Sequence, residues 1–245
     1  MSSGSRFFRS DSSADYVALD WESAEVRLAA ARVGGGRMTL LGAARAELPA
    51  GADGKLHQTA AADSVRRAWG TLPVKSPRAL LVLPRDLVVV RKLDLPTVPD
   101  NELPDLVRLQ AATKLATPVD RLALDYLPLA AAPESLGRSV LLVSADQERL
   151  QGIVAAARQA GLEPVGAVTS TISVAELALR CIDSSSGLIL VAWQHRQRLE
   201  LFAMYERVPI FSYSLTLPEG DAAGRSQLLR AELSRVQVAV RQAQH

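Results

Sequence analysis

Three strand-like segments followed by a helix occur twice along this chain, near residues 16–70 and again near 188–242, and no other feature narrows the fold as much. In the first copy Tyr16–Asp20, Ala24–Ala31 and Met38–Leu48 read as strands, with Gly34, Gly35 and Gly36 making the second turn. A polar loop at 49–54 precedes a helix from Thr59 to Trp69 that Gly70 closes. In the second copy the strands are 188–193, 199–205 and 208–215. The helix after them, 222–242, carries Leu229, Leu233, Val236 and Val240 at helical spacing. No residue identity links the copies, so the repeat is one of element order. The expectation is an α/β fold of duplicated β-β-β-α units.

Between the copies, Ala79–Leu83 is an apolar run of buried-strand type, bounded by Pro77 and Pro84. A block at 85–144 follows, extending to about 161 if its second helix is counted. It reads as a strand at 87–95, a helix from Asn101 to about Leu115, and strands at 122–127 and 139–143. Asn101 is expected to cap the first helix, with Pro104 tolerated in its first turn. Ser144 with Gln147 forms a candidate capping box for a helix bearing Leu150, Ile153, Val154 and Ala157, which Gly161 stops. A strand at 165–168 and a helix at 171–181 complete this part. The expected organisation is a disordered tail at 1–14, a first subdomain at 15–84 and an inserted α+β subdomain at 85–144. A helix–strand–helix segment at 145–183 completes the first domain, and an incomplete second domain spans 184–245.

Composition excludes several kinds of chemistry. Hydrophobic residues are 48% and charged residues 22% of the 245, which fits a folded, core-forming chain. Aromatics are only 4%, so the core must be built from Ala, Leu and Val, and base-stacking platforms are excluded. One cysteine, Cys181, and three scattered histidines, His57, His195 and His245, leave no disulfide framework and no metal site. A net charge of +2 supplies no basic stripe for nucleic acid. No window reaches the ~20 apolar residues of a membrane span, and Met1–Ser10 has no apolar signal core, so the chain is expected to be cytoplasmic. No Walker loop, Ser-His-Asp arrangement or HExxH occurs, and a non-enzymatic role is expected.

The central residues are specific. Val82 to Pro96, ending in Leu-Pro, leads into the Asn101 to Asp120 stretch with its Val-Arg-Leu helix and Pro-Val-Asp turn, and then into Leu124-Asp-Tyr126. Ser139 to Ala145 and Ala160 to Pro164 follow at consistent spacing. This series resembles the type IV pilus assembly protein PilM family. The cytoplasmic domain of the type II secretion protein GspL, of the same actin-like, FtsA-related superfamily, is the nearest competitor.

The resemblance implies an actin-like (ribonuclease H-like) fold and a scaffold at the cytoplasmic face of the inner membrane. Its partner would be the cytoplasmic tail of a PilN-like membrane protein, with a pilus or secretion motor ATPase as a further partner, and self-assembly into homo-oligomers as another reading. Some family members bind ATP between their domains through an Asp-x-Gly-x-x-x-x-Lys turn. The matching stretch here keeps Asp20, has Glu22 in place of Gly and Arg27 in place of Lys, and encloses Ser23. A Glu beside a polyphosphate adds like-charge repulsion. The second such turn would fall at Leu190–His195, which has neither acid nor glycine, and a later Gly-rich turn would lie past His245. Asp20, Ser23 and Arg27 are thus a vestigial phosphate turn. No cofactor is expected: weak Mg-ATP binding or none, and no hydrolysis.

For a partner tail the candidates are Arg85, Arg91 and Lys92. Arg27 reads as solvated, His195 as a surface-strand residue and Cys181 as a small buried side chain. Trp21, Trp69 and Trp193 read as packing residues, and Phe7–Phe8 between Arg6 and Arg9 as part of an untethered tail.

Overall fold

The computed structural model describes residues 13–22, 24–49, 58–75, 77–129, 137–182, 187–195, 198–205, 208–217 and 222–243. The elements β1 (Ala14–Trp21), β2 (Glu25–Gly34), β3 (Arg37–Glu47), α1 (Gln58–Trp69) and β4 (Arg78–Leu83) come first. A 3₁₀ turn at Arg85–Leu87 leads to β5 (Val88–Pro96), α2 (Leu103–Lys114), β6 (Leu122–Pro128) and β7 (Gly137–Asp146). Then follow α3 (Gln147–Gln159), β8 (Glu163–Thr169) and α4 (Ser170–Cys181). The strands β9 (Leu188–His195), β10 (Arg198–Tyr205) and β11 (Val208–Thr216) precede α5 (Ala222–Ala243). The chain divides into two compact units, residues 1–84 with 148–170 and residues 85–147 with 171–245.

The first unit holds a five-stranded sheet in the order β3-β2-β1-β4-β8, antiparallel through β1, β2 and β3, and parallel from β1 to β4 to β8. The β2–β3 turn uses Gly35 and Gly36 at φ 56° and 70°, a left-handed pair that matches the twist of the flanking strands. Alternation on β1 buries Val17, Leu19 and Trp21, and α1 buries Ala61, Ala62, Val65 and Ala68. These alanines let the helix approach closely, and so a chain poor in aromatics still fills its core. α3 ends as expected at Gly161 (φ 89°): Leu162 N–H reaches back to the Ala157 carbonyl and Gly161 N–H to that of Arg158. The Trp69 Nε1–H donates to the Ala160 carbonyl at 2.7 Å, tying α1 to this cap.

In the second unit the antiparallel sheet β5-β7-β6 packs Leu93, Leu95, Val140 and Leu142 against Leu103 and Val107 of α2. The other sheet, β11-β10-β9, is apolar on both faces. Leu199, Leu201, Ala203 and Leu217 cluster with Val236 of α5, whereas Ile189, Phe202 and Met204 meet Ala175 and Leu179 of α4. β10 lies between two neighbours and buries six consecutive residues, Leu199 to Met204. Leu229 packs beside the Val236 cluster; the Val240 side chain is outside the described residues.

Several expectations are corrected. Asn101 does not cap α2: the hydrogen-bonded turn from Pro99 to Glu102 takes it up, and the helix starts at Leu103 with no side-chain cap. Pro104, lacking an N–H, leaves fewer donors there to satisfy. Ser144 opens no helix, because pairing with β5 and β6 keeps β7 extended to Asp146. Cys181 is exposed, lying off the Ala175–Leu179 face of α4. Trp193 is half exposed, whereas Trp21 is buried. Of the tail at 1–14, only Ser13 and Ala14 are described, and Phe7 and Phe8 lie outside.

Candidate functional site

The antiparallel register of β1 and β2 sets Asp20 directly opposite Arg27. One guanidinium nitrogen of Arg27 lies 2.5 Å from Asp20 Oδ2 and donates to Glu22 Oε1 at 3.2 Å. Arg27 is therefore an ion-paired residue, 25% exposed, and not the solvated one that strand alternation suggested. Glu22 N–H donates to the Glu25 carbonyl at 2.9 Å, closing the turn, and the Glu25 side chain is buried beside it. Ser23 lies outside the described residues.

This turn presents carboxylates where a phosphate cradle presents backbone N–H groups and a free cation. Asp20 and Glu22 both engage one arginine, and Glu25 is buried two residues before it on β2. These residues do not fit a polyphosphate. In the second copy, Leu190–His195 forms part of β9 and Trp193 pairs with Glu200 of β10. Among the described residues no group of three His, Cys, Asp or Glu side chains converges as a metal site.

Arg85, Arg91 and Lys92 do not form one patch. Arg85 precedes β5 and turns to β11: its Nε donates to Ser212 Oγ at 3.0 Å and another guanidinium nitrogen to the Val88 carbonyl at 2.6 Å. Burial draws the Arg85 guanidinium down from its ordinary pKa, opposed by the charges of Glu200 and Asp86. Glu200, buried on β10, accepts from Arg85 N–H and from Thr171 Oγ1, both at 3.4 Å. Arg198 forks onto Asp86 at 2.6 and 2.9 Å. Arg91 donates to the Lys114 carbonyl at 2.6 Å, and Lys92, on the opposite face of β5, lies 3.2 Å from Asp94. Glu200 was readable as an acid inside the apolar run Leu199–Met204; its partner Arg85 was not, being more than a hundred residues away in the chain.

The Ser139 hydroxyl donates to Asp94 at 2.6 Å, and this bond, with Lys92, holds the Asp94 carboxyl below its ordinary pKa of 3.8. A carboxyl lowered on folding stabilises above its unfolded pKa, and that contribution is lost as pH falls through the folded value. Asp94→Asn is expected to cost no more than about 0.5 kcal/mol at pH 7, since the side chain is largely exposed. Urea midpoints measured down to about pH 2 should show this difference vanish.

At the other end of β1, Asp15, Arg32, Lys75, Arg78 and Glu163 line an open cavity of about 630 Å³. Arg32 spans both Asp15 oxygens at 2.7 and 3.1 Å, and this hydrogen bonding lowers the Asp15 pKa. The cavity is not at the phosphate turn, which ends the same strand.

Residues 18–183 match the family described as type IV pilus assembly protein PilM. A solved structure of a PilM–PilN type IV pilus biogenesis complex is similar over 93% of this chain and 72% of that one, at 20% identity and a TM-score of 0.72. The cytoplasmic domain of EpsL, an inner-membrane component of the type II secretion system of Vibrio cholerae, aligns over 84% of this chain and 71% of its own. Its identity is 9% and its TM-score 0.55. A Bacteroides thetaiotaomicron protein with an actin-like ATPase fold and unknown function aligns over 96% and 81%, at 7% identity and a TM-score of 0.52. No curated protein matches the chain. The duplicated meander is thus an actin-like fold, and with the match covering most of its length the chain belongs to the PilM family of type IV pilus assembly proteins.

Proposed function

We propose that this protein is a non-catalytic adaptor of a type IV pilus or type II secretion-like assembly platform. It binds the cytoplasmic tail of a PilN-like inner-membrane protein and is held at the cytoplasmic face of the membrane through that partner. A pilus or secretion motor ATPase is a second partner in this reading. The carrying observation is the β1–β2 turn, where Arg27 is engaged by Asp20 and Glu22 and no glycine opens the backbone to a phosphate. Among the described residues no helix is long and apolar enough to cross a membrane, so attachment through a partner is consistent with the elements present.

Calorimetric titration with the N-terminal cytoplasmic peptide of the PilN-like protein encoded nearby tests this. The expected result is saturable binding with Kd of about 1–10 μM, unchanged by Mg-ATP. Absence of saturable binding would remove the reading. The alternative, a nucleotide-binding actin-like ATPase using the interdomain cleft, draws on the fold and on the retained Asp20. It predicts Mg-ATP affinity tighter than about 100 μM that Asp20→Ala abolishes.

A further inference from the structure

The two ends of the five-stranded sheet differ in charge. At the end where β1 turns through Asp20 and Glu22, β2 begins at Glu25, β3 finishes at Glu47 and α3 carries Glu148 in its first turn. Carboxylates there outnumber Arg27, Arg45 and Arg149. The opposite end gathers the start of β1, the β2–β3 turn, the starts of β4 and β8, and the last turns of α1 and α3. The topology requires this, because β4 and β8 run parallel to β1 and the two helices lead into them.

That end carries Arg37, Arg67, Lys75, Arg78 and Arg158, all exposed. Among the described residues none of the five is ion-paired, and Arg67 donates only to Ser64 Oγ. Its acids are Asp15, held by Arg32, Asp63, held by Arg66, and Glu163, so positive charge is in excess. Helix C-termini attract cations, which accounts for Arg67 and Arg158. Arg37, Lys75 and Arg78 end no helix and have no such reason to be there. Next to Arg37 the hairpin presents Met38, 73% exposed, and Leu40, 67% exposed.

We propose that this end of the first unit docks directly on an anionic phospholipid surface. Arg37, Lys75, Arg78 and Arg158 lie against headgroup phosphates, and Met38 adds an apolar contact between the headgroups. The four cations come from four segments, namely β3, the loop before β4, β4 itself and α3. A spread of that kind suits a continuous anionic sheet better than one acidic peptide. Unpaired cations are costly to cover with apolar surface, so this end meets water or negative charge. The contact is additional to attachment through a PilN-like protein and needs no such partner.

Cosedimentation of the full chain with vesicles tests the proposal, comparing phosphatidylcholine alone with phosphatidylcholine holding about 30% phosphatidylglycerol in about 0.1 M salt. Binding is expected to the anionic vesicles only, and should be lost in about 0.5 M salt. Lys75→Glu and Arg37→Glu should each weaken it roughly ten-fold. Arg45→Glu makes the same change in net charge at the far end of β3 and should bind like the parent. Met38→Ser should weaken binding about three-fold. All four positions are exposed, and unchanged urea midpoints would show that the variants fold. Absence of binding to bare anionic vesicles would overturn the proposal while leaving the partner-tail titration unaffected. Equal losses in Arg45→Glu and Lys75→Glu would overturn it too, as would a loss seen only in an Arg6→Glu, Arg9→Glu variant.

Discussion

Replacing Arg27 with alanine is expected to destabilise the first unit by about 2–3 kcal/mol. The three partners are 25%, 29% and 14% exposed, so solvent screens the ion pairs only in part. Removing the guanidinium leaves Asp20 and Glu22 at one turn without the cation they share, next to buried Glu25. Arg27 Nε is buried with no hydrogen-bond partner, a cost of about 1–3 kcal/mol that the two carboxylate contacts must outweigh. Both contacts come from one guanidinium nitrogen, so Arg27→Lys, which keeps the charge on a shorter side chain, should recover roughly half of the loss. Urea unfolding measures this: the midpoint should drop with the slope unchanged, and faster amide exchange should be concentrated in β1 and β2. A loss below about 0.5 kcal/mol would mean that water replaces the guanidinium and that the turn is not held shut by it.

Arg85→Ala is expected to cost about 2–4 kcal/mol, with faster exchange concentrated in β10 and β11 of the second unit. It deletes the bonds to Ser212 and Val88 and takes a positive charge away from Glu200, which lies buried in an apolar strand. Arg85→Lys should cost about 1–2 kcal/mol, because an ammonium cannot reach Ser212 and Val88 together in the same plane. Arg198→Ala, whose partner Asp86 is well exposed, should cost no more than about 1 kcal/mol and serves as the comparison. If Arg85→Ala unfolds no more readily than Arg198→Ala, Arg85 does not hold its strands together.

The elements were legible because their punctuation is strong. Gly35–Gly36 set one hairpin, Pro77 and Pro84 bracket β4, and Gly161 ends α3, each for a reason local to the backbone. The helix starts were less legible, since they depend on what the preceding residues are already bonded to. Asn101 is spent in a turn, and Ser144 is held between two strands. In the site, Asp20 and Glu22 were visible as departures from a phosphate turn. The Asp20–Arg27 pair needed the hairpin register, in which these two residues face each other. The Arg85–Ser212 and Arg85–Glu200 contacts were out of reach, because no local pattern relates positions so far apart.

Neither unit is made from one continuous stretch of chain, and this bears on synthesis at the ribosome. β1 to β4 can form as soon as they emerge, but β8, which pairs Leu80 with Gly166, arrives only after the whole of 85–147 has been made. Arg85 must in turn wait for Ser212. The two units therefore mature as interleaved threads, each with an exposed flank until the other's segment has passed. Pairings so distant in sequence are slow to close, so a nascent chain stalled near residue 150 would expose the β4 edge while Arg85 still lacks Ser212. Cutting the chain near that point would not release a self-sufficient half.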